Sequence, residues 1–139
     1  MNLTKARARA GVSTLALVVL SAVMTAASAI VHLHLWDEPD GYRAVPTIGP
    51  LFLGQGIVGC VLAVLMVAFR RAALSAAAAV YNALSIGGLV ISINIGLFGY
   101  PETLDAPFVK ESLVVEAIGM VAGAAAFVLA LRPRRRGPA

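Results

Sequence analysis

The chain has 139 residues, of which 60% are apolar and 13% charged; a soluble domain carries roughly 45–50% and roughly 25%. That leaves too little polar surface to wet a globule of this size, so an ordinary soluble enzyme or binding domain is excluded and lipid is the expected solvent. The net charge of +4 would point to nucleic acid in a soluble protein, but here the placement of the charges accounts for it and no nucleic-acid partner is expected.

The first element follows Lys5, Arg7 and Arg9: a charge-free apolar run from Gly11 to Val31. About 20 apolar residues at about 1.5 Å each cross a bilayer core, so this run predicts a span. Its rival is a cleaved signal peptide, since Ala27-Ser28-Ala29 is an A-x-A-like site; cleavage would leave three helices and an outward N-terminus. His32 and His34 come next. On a continuous helix, residues two apart point about 200° apart, whereas in extended backbone they share a face. With Asp37, Glu38 and Asp40 close by, a nitrogen–oxygen metal site is conceivable. The plainer reading is an interfacial polar cap beside Trp36, and no cofactor is expected.

After the Glu38-Pro39-Asp40-Gly41 break, residues 48–69 predict the second span. Thr47 is placed to cap it, with Pro50 in its first turn. Gly54, Gly56 and Gly59 match G-x-G-x-x-G; the nucleotide fingerprint follows a strand in a soluble βαβ unit, so these glycines are read as helix-packing residues. The lone Cys60 excludes an intrachain disulfide and a multi-cysteine metal site. Arg70-Arg71 separates this run from a third, residues 72–97, and Tyr100-Pro101 marks the next break. The fourth span is placed at 107–131, with Pro107 in its first turn and Asp105 as its cap. Residues 132–139 form a basic tail, and its Arg132, Arg134, Arg135 and Arg136 suit anionic lipid headgroups.

The predicted fold class is therefore all-α: a polytopic membrane protein of four transmembrane helices, forming one domain over 1–139. Nine of the eleven basic residues fall on one side of this arrangement, leaving Arg43 and Lys110 on the other. The positive-inside rule places both termini in the cytoplasm of a cell-membrane protein. The seven acids, Asp37, Glu38, Asp40, Glu102, Asp105, Glu111 and Glu116, gather at or near the outer face. Trp36, Tyr42 and Tyr100 lie there too, where an interfacial aromatic belt is expected.

In lipid, helices associate through small residues and buried polar groups. Gly119 and Gly123 make a GxxxG pair; Ala76, Ala79, Ala83 and Gly87, and Gly56, Gly59 and Ala63, follow similar spacing. These stripes predict close packing within or between chains, although alanine is also simply abundant here. Polar residues within the spans favour the outer half: Thr25, Ser28, Gln55, Ser92, Asn94 and Glu116, against Ser13, Thr14, Ser75 and Asn82 in the inner half. An outward-facing polar pocket is the expected result, with Glu116, Asn94, Gln55 and His32 as candidate ligand-binding residues. Glu116 lies about 7 Å below Glu111 along a helix rising about 1.5 Å per residue. An acid at that depth finds a partner or faces water. It is either a proton carrier or cation ligand, or a structural anchor bonded to Asn94, paired with Arg43 or reaching the headgroups.

No catalytic constellation is visible, so a non-enzymatic protein is expected. The leading expectation is an accessory or interaction subunit of a larger membrane complex, or a homo-oligomer; the alternative is a small transporter or ligand-binding membrane protein built on the pocket around Glu116. The stretches His32-Leu-His-Leu-Trp36, Gly41-Tyr-Arg43 and Pro46-Thr-Ile-Gly-Pro50-Leu-Phe-Leu53 resemble a pattern in small uncharacterised four-helix membrane proteins of actinobacteria. The resemblance covers the first outer loop and the start of the second span. It implies the four-helix fold and no activity. Small multidrug exporters fit less well, since their essential glutamate is in the first span, and claudin-like proteins need a cysteine pair that this chain lacks.

Overall fold

A computed structural model describes residues 3–132 of the chain, with side chains from Gly11 onward. The charges of Lys5, Arg7, Arg9 and Arg134–Arg136, on which much of the orientation argument rests, lie outside the described side chains. The described residues form four helices, α1 (Leu3–Asp37), α2 (Ile48–Phe69), α3 (Ala72–Ile95) and α4 (Val109–Leu131), and a single 3-10 turn at Tyr42–Ala44. All four helices are long and apolar enough to cross a membrane.

The packing order is α2–α1–α4–α3. Helix α1 lies along both α2 and α4, α4 lies along α3, and the consecutive pair α2 and α3 meet only sparsely. Buried positions recur at the three- and four-residue steps that keep side chains on one helix face. On α4 they are Val109, Ser112, Glu116, Gly119, Ala122, Gly123 and Ala126. On α1 they include Val18, Ser21, Thr25 and Ser28. These seams are mostly small or polar, with Val18, Leu62, Met66 and Tyr81 forming a hydrophobic cluster among them, and many of the large apolar side chains point away. Val23, Ile57, Val64, Leu84, Val114 and Val121 are each more than half exposed.

Small residues are what let the helices touch. A Cβ on Gly123 would sit 2.8 Å from the Ser75 carbonyl oxygen and 2.9 Å from Ser21 Oγ. One on Gly59 would meet Tyr81 Oη at 2.3 Å and Ala29 Cβ at 2.7 Å. Gly54, the first glycine of the apparent nucleotide motif, has nothing within 4 Å of an added Cβ. Interhelical hydrogen bonds complete the seams: Ser21 Oγ donates to the Gly119 carbonyl at 2.9 Å, and Asn82 Nδ2 to Thr25 Oγ1 at 3.0 Å. Ser28 and Ala29, within the signal-like Ala27-Ser28-Ala29, are both fully buried in α1, so loss of this helix would strip the bundle's centre.

Helix ends differ from the sequence expectation in instructive ways. Thr47 does precede α2, but at φ 68° its hydroxyl makes no capping bond; an N-cap side chain reaches the first-turn amides from extended backbone. Helix α4 starts at Val109 after Phe108 at φ 62°, so Pro107 lies just before the helix. Asp105, expected as its cap, instead accepts from Lys110 Nζ at 2.9 Å. Helix α3 stops at Ile95 because Gly96 turns to φ 80°.

Candidate functional site

The weak contact between α2 and α3 leaves space. Tyr81 of α3 stands between them, its hydroxyl donating to the Gln55 carbonyl of α2 at 2.9 Å. On the side of Tyr81 toward the two long connections lies a cavity of about 270 Å³, walled by all four helices and roofed by both connections.

The connections are held down by specific bonds. In the first, Gly41 lies so close to α1 that an added Cβ would be 2.2 Å from the Leu35 carbonyl oxygen, which presses Tyr42 over the bundle. In the second, a tight turn joins Leu97 and Tyr100 by reciprocal backbone bonds of 3.0 and 2.9 Å. Ser92 then staples that turn to α3: its carbonyl accepts from the Gly96 and Glu102 amides at 3.1 and 3.2 Å, and its Oγ donates to the Tyr100 carbonyl at 2.7 Å. The two connections meet where Tyr42 Oη donates to Glu102 Oε2. Burial, and after it the Glu102 carboxylate, pushes the Tyr42 phenol above its ordinary value.

The cavity wall has an aromatic part and an acidic part. Tyr42 stacks on Phe52 at 4.1 Å between centroids and meets Tyr100 edge-on at 5.5 Å; His32 packs against Phe52 at 4.9 Å. Deeper in the wall is Glu116, which is 1% exposed. Its Oε1 accepts from Ser28 Oγ of α1 at 2.8 Å and from Ser85 Oγ of α3 at 2.6 Å. Its Oε2 is buried and has no hydrogen-bond partner among the described residues, and the same is true of Gln55 Nε2. Both Glu116 and Gln55 line the cavity, and no lysine or arginine does so among the described residues.

Of the residues singled out from sequence, the structure thus brings Glu116, Gln55 and His32 to one cavity. Asn94 is not among them: it is exposed and its Nδ2 bonds the Val90 carbonyl of its own helix at 2.7 Å. Two residues beyond Ser92, it points about 200° around the helix, away from the seam. Neither Asn94 nor Arg43 touches Glu116; Arg43 lies over the Trp36 ring at 5.3 Å and 3.8 Å from Asp37. The two histidines part company because α1 stays helical to Asp37. His32 lines the cavity with Nδ1 2.8 Å from the Ser28 carbonyl, while His34 pairs outside with Glu38 at 3.1 Å. Among the described residues no group of three or more histidine, cysteine or acidic side chains converges as a metal site.

The sequence reading missed Ser85, Phe52 and the Tyr42–Glu102 contact. A signal for Ser85 was available: Ser75, Asn82, Ser85 and Ser92 follow seven- and three-residue steps that place them on one helix face. The bond between the connections had none, because the register of two loops over a bundle is not encoded in spacing along either.

Fold and site together define a four-helix bundle of membrane-spanning dimensions with a loop-roofed cavity at one end. No family model matches the chain, and neither the curated proteins nor the solved structures contain a match.

Proposed function

We propose that this is a multi-pass cell-membrane protein, both termini cytoplasmic, whose outward-facing cavity binds a small molecule, for recognition or as a step in transport. The single observation that carries this reading is the pairing of the cavity with unmet polar atoms in its wall. Buried polar atoms are nearly always hydrogen-bonded, and an acid at membrane depth is retained at a cost. Here Glu116 Oε2 and Gln55 Nε2 both lack partners among the described residues and both belong to residues of the wall. Both atoms are closed to solvent, so a ligand that supplies a donor to one and an acceptor to the other satisfies them once the two side chains turn toward the cavity. The rest of the wall is mostly apolar and aromatic, so the ligand has an apolar body; the polar pocket expected from sequence becomes a greasy one with a polar base.

Gly88 gives a direct test. It lines the cavity, and a Cβ there would only touch Leu97 Cδ2 at 3.7 Å, so Gly88→Leu fills the space without breaking a helix contact. In lipid nanodiscs, thermal-shift screening of small amphipathic molecules is expected to find saturable stabilisers of the wild type that leave Gly88→Leu unmoved. Equal response of both proteins would overturn the reading.

A second reading, an interaction subunit of a larger membrane complex, draws on α3. Ala83 is exposed, and a Cβ on Gly87 would meet nothing within 4 Å, so part of the Ala76, Ala79, Ala83, Gly87 stripe leaves room for another helix. The other glycine contacts, at Gly56, Gly59, Gly119 and Gly123, are used within the chain. Retention of a larger protein at fixed stoichiometry in mild detergent, lost in Gly87→Leu, is the expected result under that reading.

A further inference from the structure

The chemistry of the cavity wall narrows the ligand's class, and this step rests on the reading of the cavity as a ligand site. Two carboxyl groups, Glu102 and Glu116, are in the wall, and among the described residues no lysine or arginine faces them there. They are not equivalent. Glu102 is already engaged through both oxygens, Oε2 by Tyr42 Oη and Oε1 by the Thr103 amide at 3.1 Å. Glu116 is engaged only through Oε1, by neutral hydroxyls, and its Oε2 remains a buried acceptor with no donor.

A buried carboxyl oxygen of this kind is best met by a charged donor. Such bonds are shorter and roughly twice as strong as neutral ones. The remaining wall favours the same sign of charge. Aromatic faces attract cations through their quadrupole, and Phe52, Tyr42 and Tyr100 form a connected series of rings at 4.1 and 5.5 Å. An anionic ligand would meet two acids and no compensating cation. A neutral ligand would leave the preference of both the rings and Glu116 unused.

We propose that the cavity takes a small lipophilic organic cation, with its ammonium at the Glu116 carboxyl group, whose shielded Oε2 turns to meet it, and its apolar body against the Tyr42–Phe52–Tyr100 wall. Three buried side-chain atoms lack partners among the described residues, Glu116 Oε2, Gln55 Nε2 and Asn82 Oδ1; of these, Asn82 is outside the cavity wall, and Gln55 Nε2 fits a hydroxyl or carbonyl oxygen of the ligand. The ligand class is thus an aryl or alkyl amine that also bears an oxygen acceptor.

A matched set of probes tests this. Phenylalaninol carries an aromatic ring, an ammonium and a hydroxyl; 3-phenylpropane-1,2-diol replaces the ammonium by a hydroxyl, and 3-phenyllactate presents a carboxylate. Binding to the wild type in nanodiscs, followed by calorimetry, is expected to favour phenylalaninol over the diol by about tenfold or more, with 3-phenyllactate weakest. Glu116→Gln is expected to bring the first two within about threefold of each other, because the amide keeps the shape and removes the charge. The wild-type comparison stands by itself should that variant fold poorly. Equal binding of amine and diol, each lost in Gly88→Leu, would overturn the charge assignment and leave the cavity reading intact. Absence of saturable binding by all three would overturn both.

Discussion

Glu116 carries two roles that substitution can separate. Its Oε1 holds Ser28 and Ser85, joining α1, α4 and α3, while its Oε2 holds nothing among the described residues. Glutamine keeps the acceptor, so Glu116→Gln is expected to unfold in denaturant close to the wild type. Leucine keeps neither oxygen and strands the buried Ser28 hydroxyl, at a cost of roughly 1–3 kcal/mol; equilibrium unfolding in detergent distinguishes the two. Tyr42 gives a pH prediction at the same scale. Its phenol is raised above the ordinary value of 10.0 by burial and by Glu102. The neutral form is therefore the one the fold prefers. The stabilisation from this contact is complete below about pH 10 and is lost as pH rises toward the folded-state value. Ultraviolet titration of the folded protein is expected to show no ionisation amplitude from Tyr42 near pH 10; loss of such amplitude in Tyr42→Phe would contradict this.

Among the elements, the glycines of α2 make a sharp contrast. Gly59 faces Tyr81 and Ala29, whereas Gly54 faces open space. Gly59→Ala is expected to push α2 off Tyr81 and lower the unfolding temperature in detergent. Gly54→Ala is expected to stabilise by about 0.5–1 kcal/mol, as alanine does in an exposed helix interior. A nucleotide motif would make both positions sensitive to the same ligand. The existence of the four helices was legible because each is a long apolar run between Pro, Gly or Arg breaks. Their ends were less so: Asp105 and Pro107 look like a helix start, yet the Phe108 turn delays α4 to Val109. Local capping propensity there gives way to the roof, where Phe108 also packs edge-on against His34 at 5.4 Å.

For the molecule as a whole, polar seams inside and many large apolar side chains outside fit a lipid surround, and the sorted charges of the sequence are the basis of the proposed orientation. In a Cys60→Ser background, Asp40→Cys is expected to react with a membrane-impermeant maleimide added to intact cells, and Arg71→Cys only after lysis. The opposite pattern would invert the topology. That Glu116 would be buried with polar company was readable from its position in the fourth apolar run, but its partners were not: Ser28 and Ser85 hold it, where Asn94 or Arg43 was expected. The cavity was not, because it arises from the packing order: α2 and α3 are neighbours in sequence but the least closely packed consecutive pair in space. No spacing within a single helix reveals how far two helices stand apart, nor that Tyr81 holds them so.

The most direct test of the ligand site is native mass spectrometry of the protein released gently from its own membrane, comparing the wild type with Gly88→Leu. A stoichiometric non-lipid adduct of small mass is expected on the wild type and is expected to be absent from the filled variant. A wild type that flies bare, or an adduct that Gly88→Leu keeps undiminished, would contradict the ligand site.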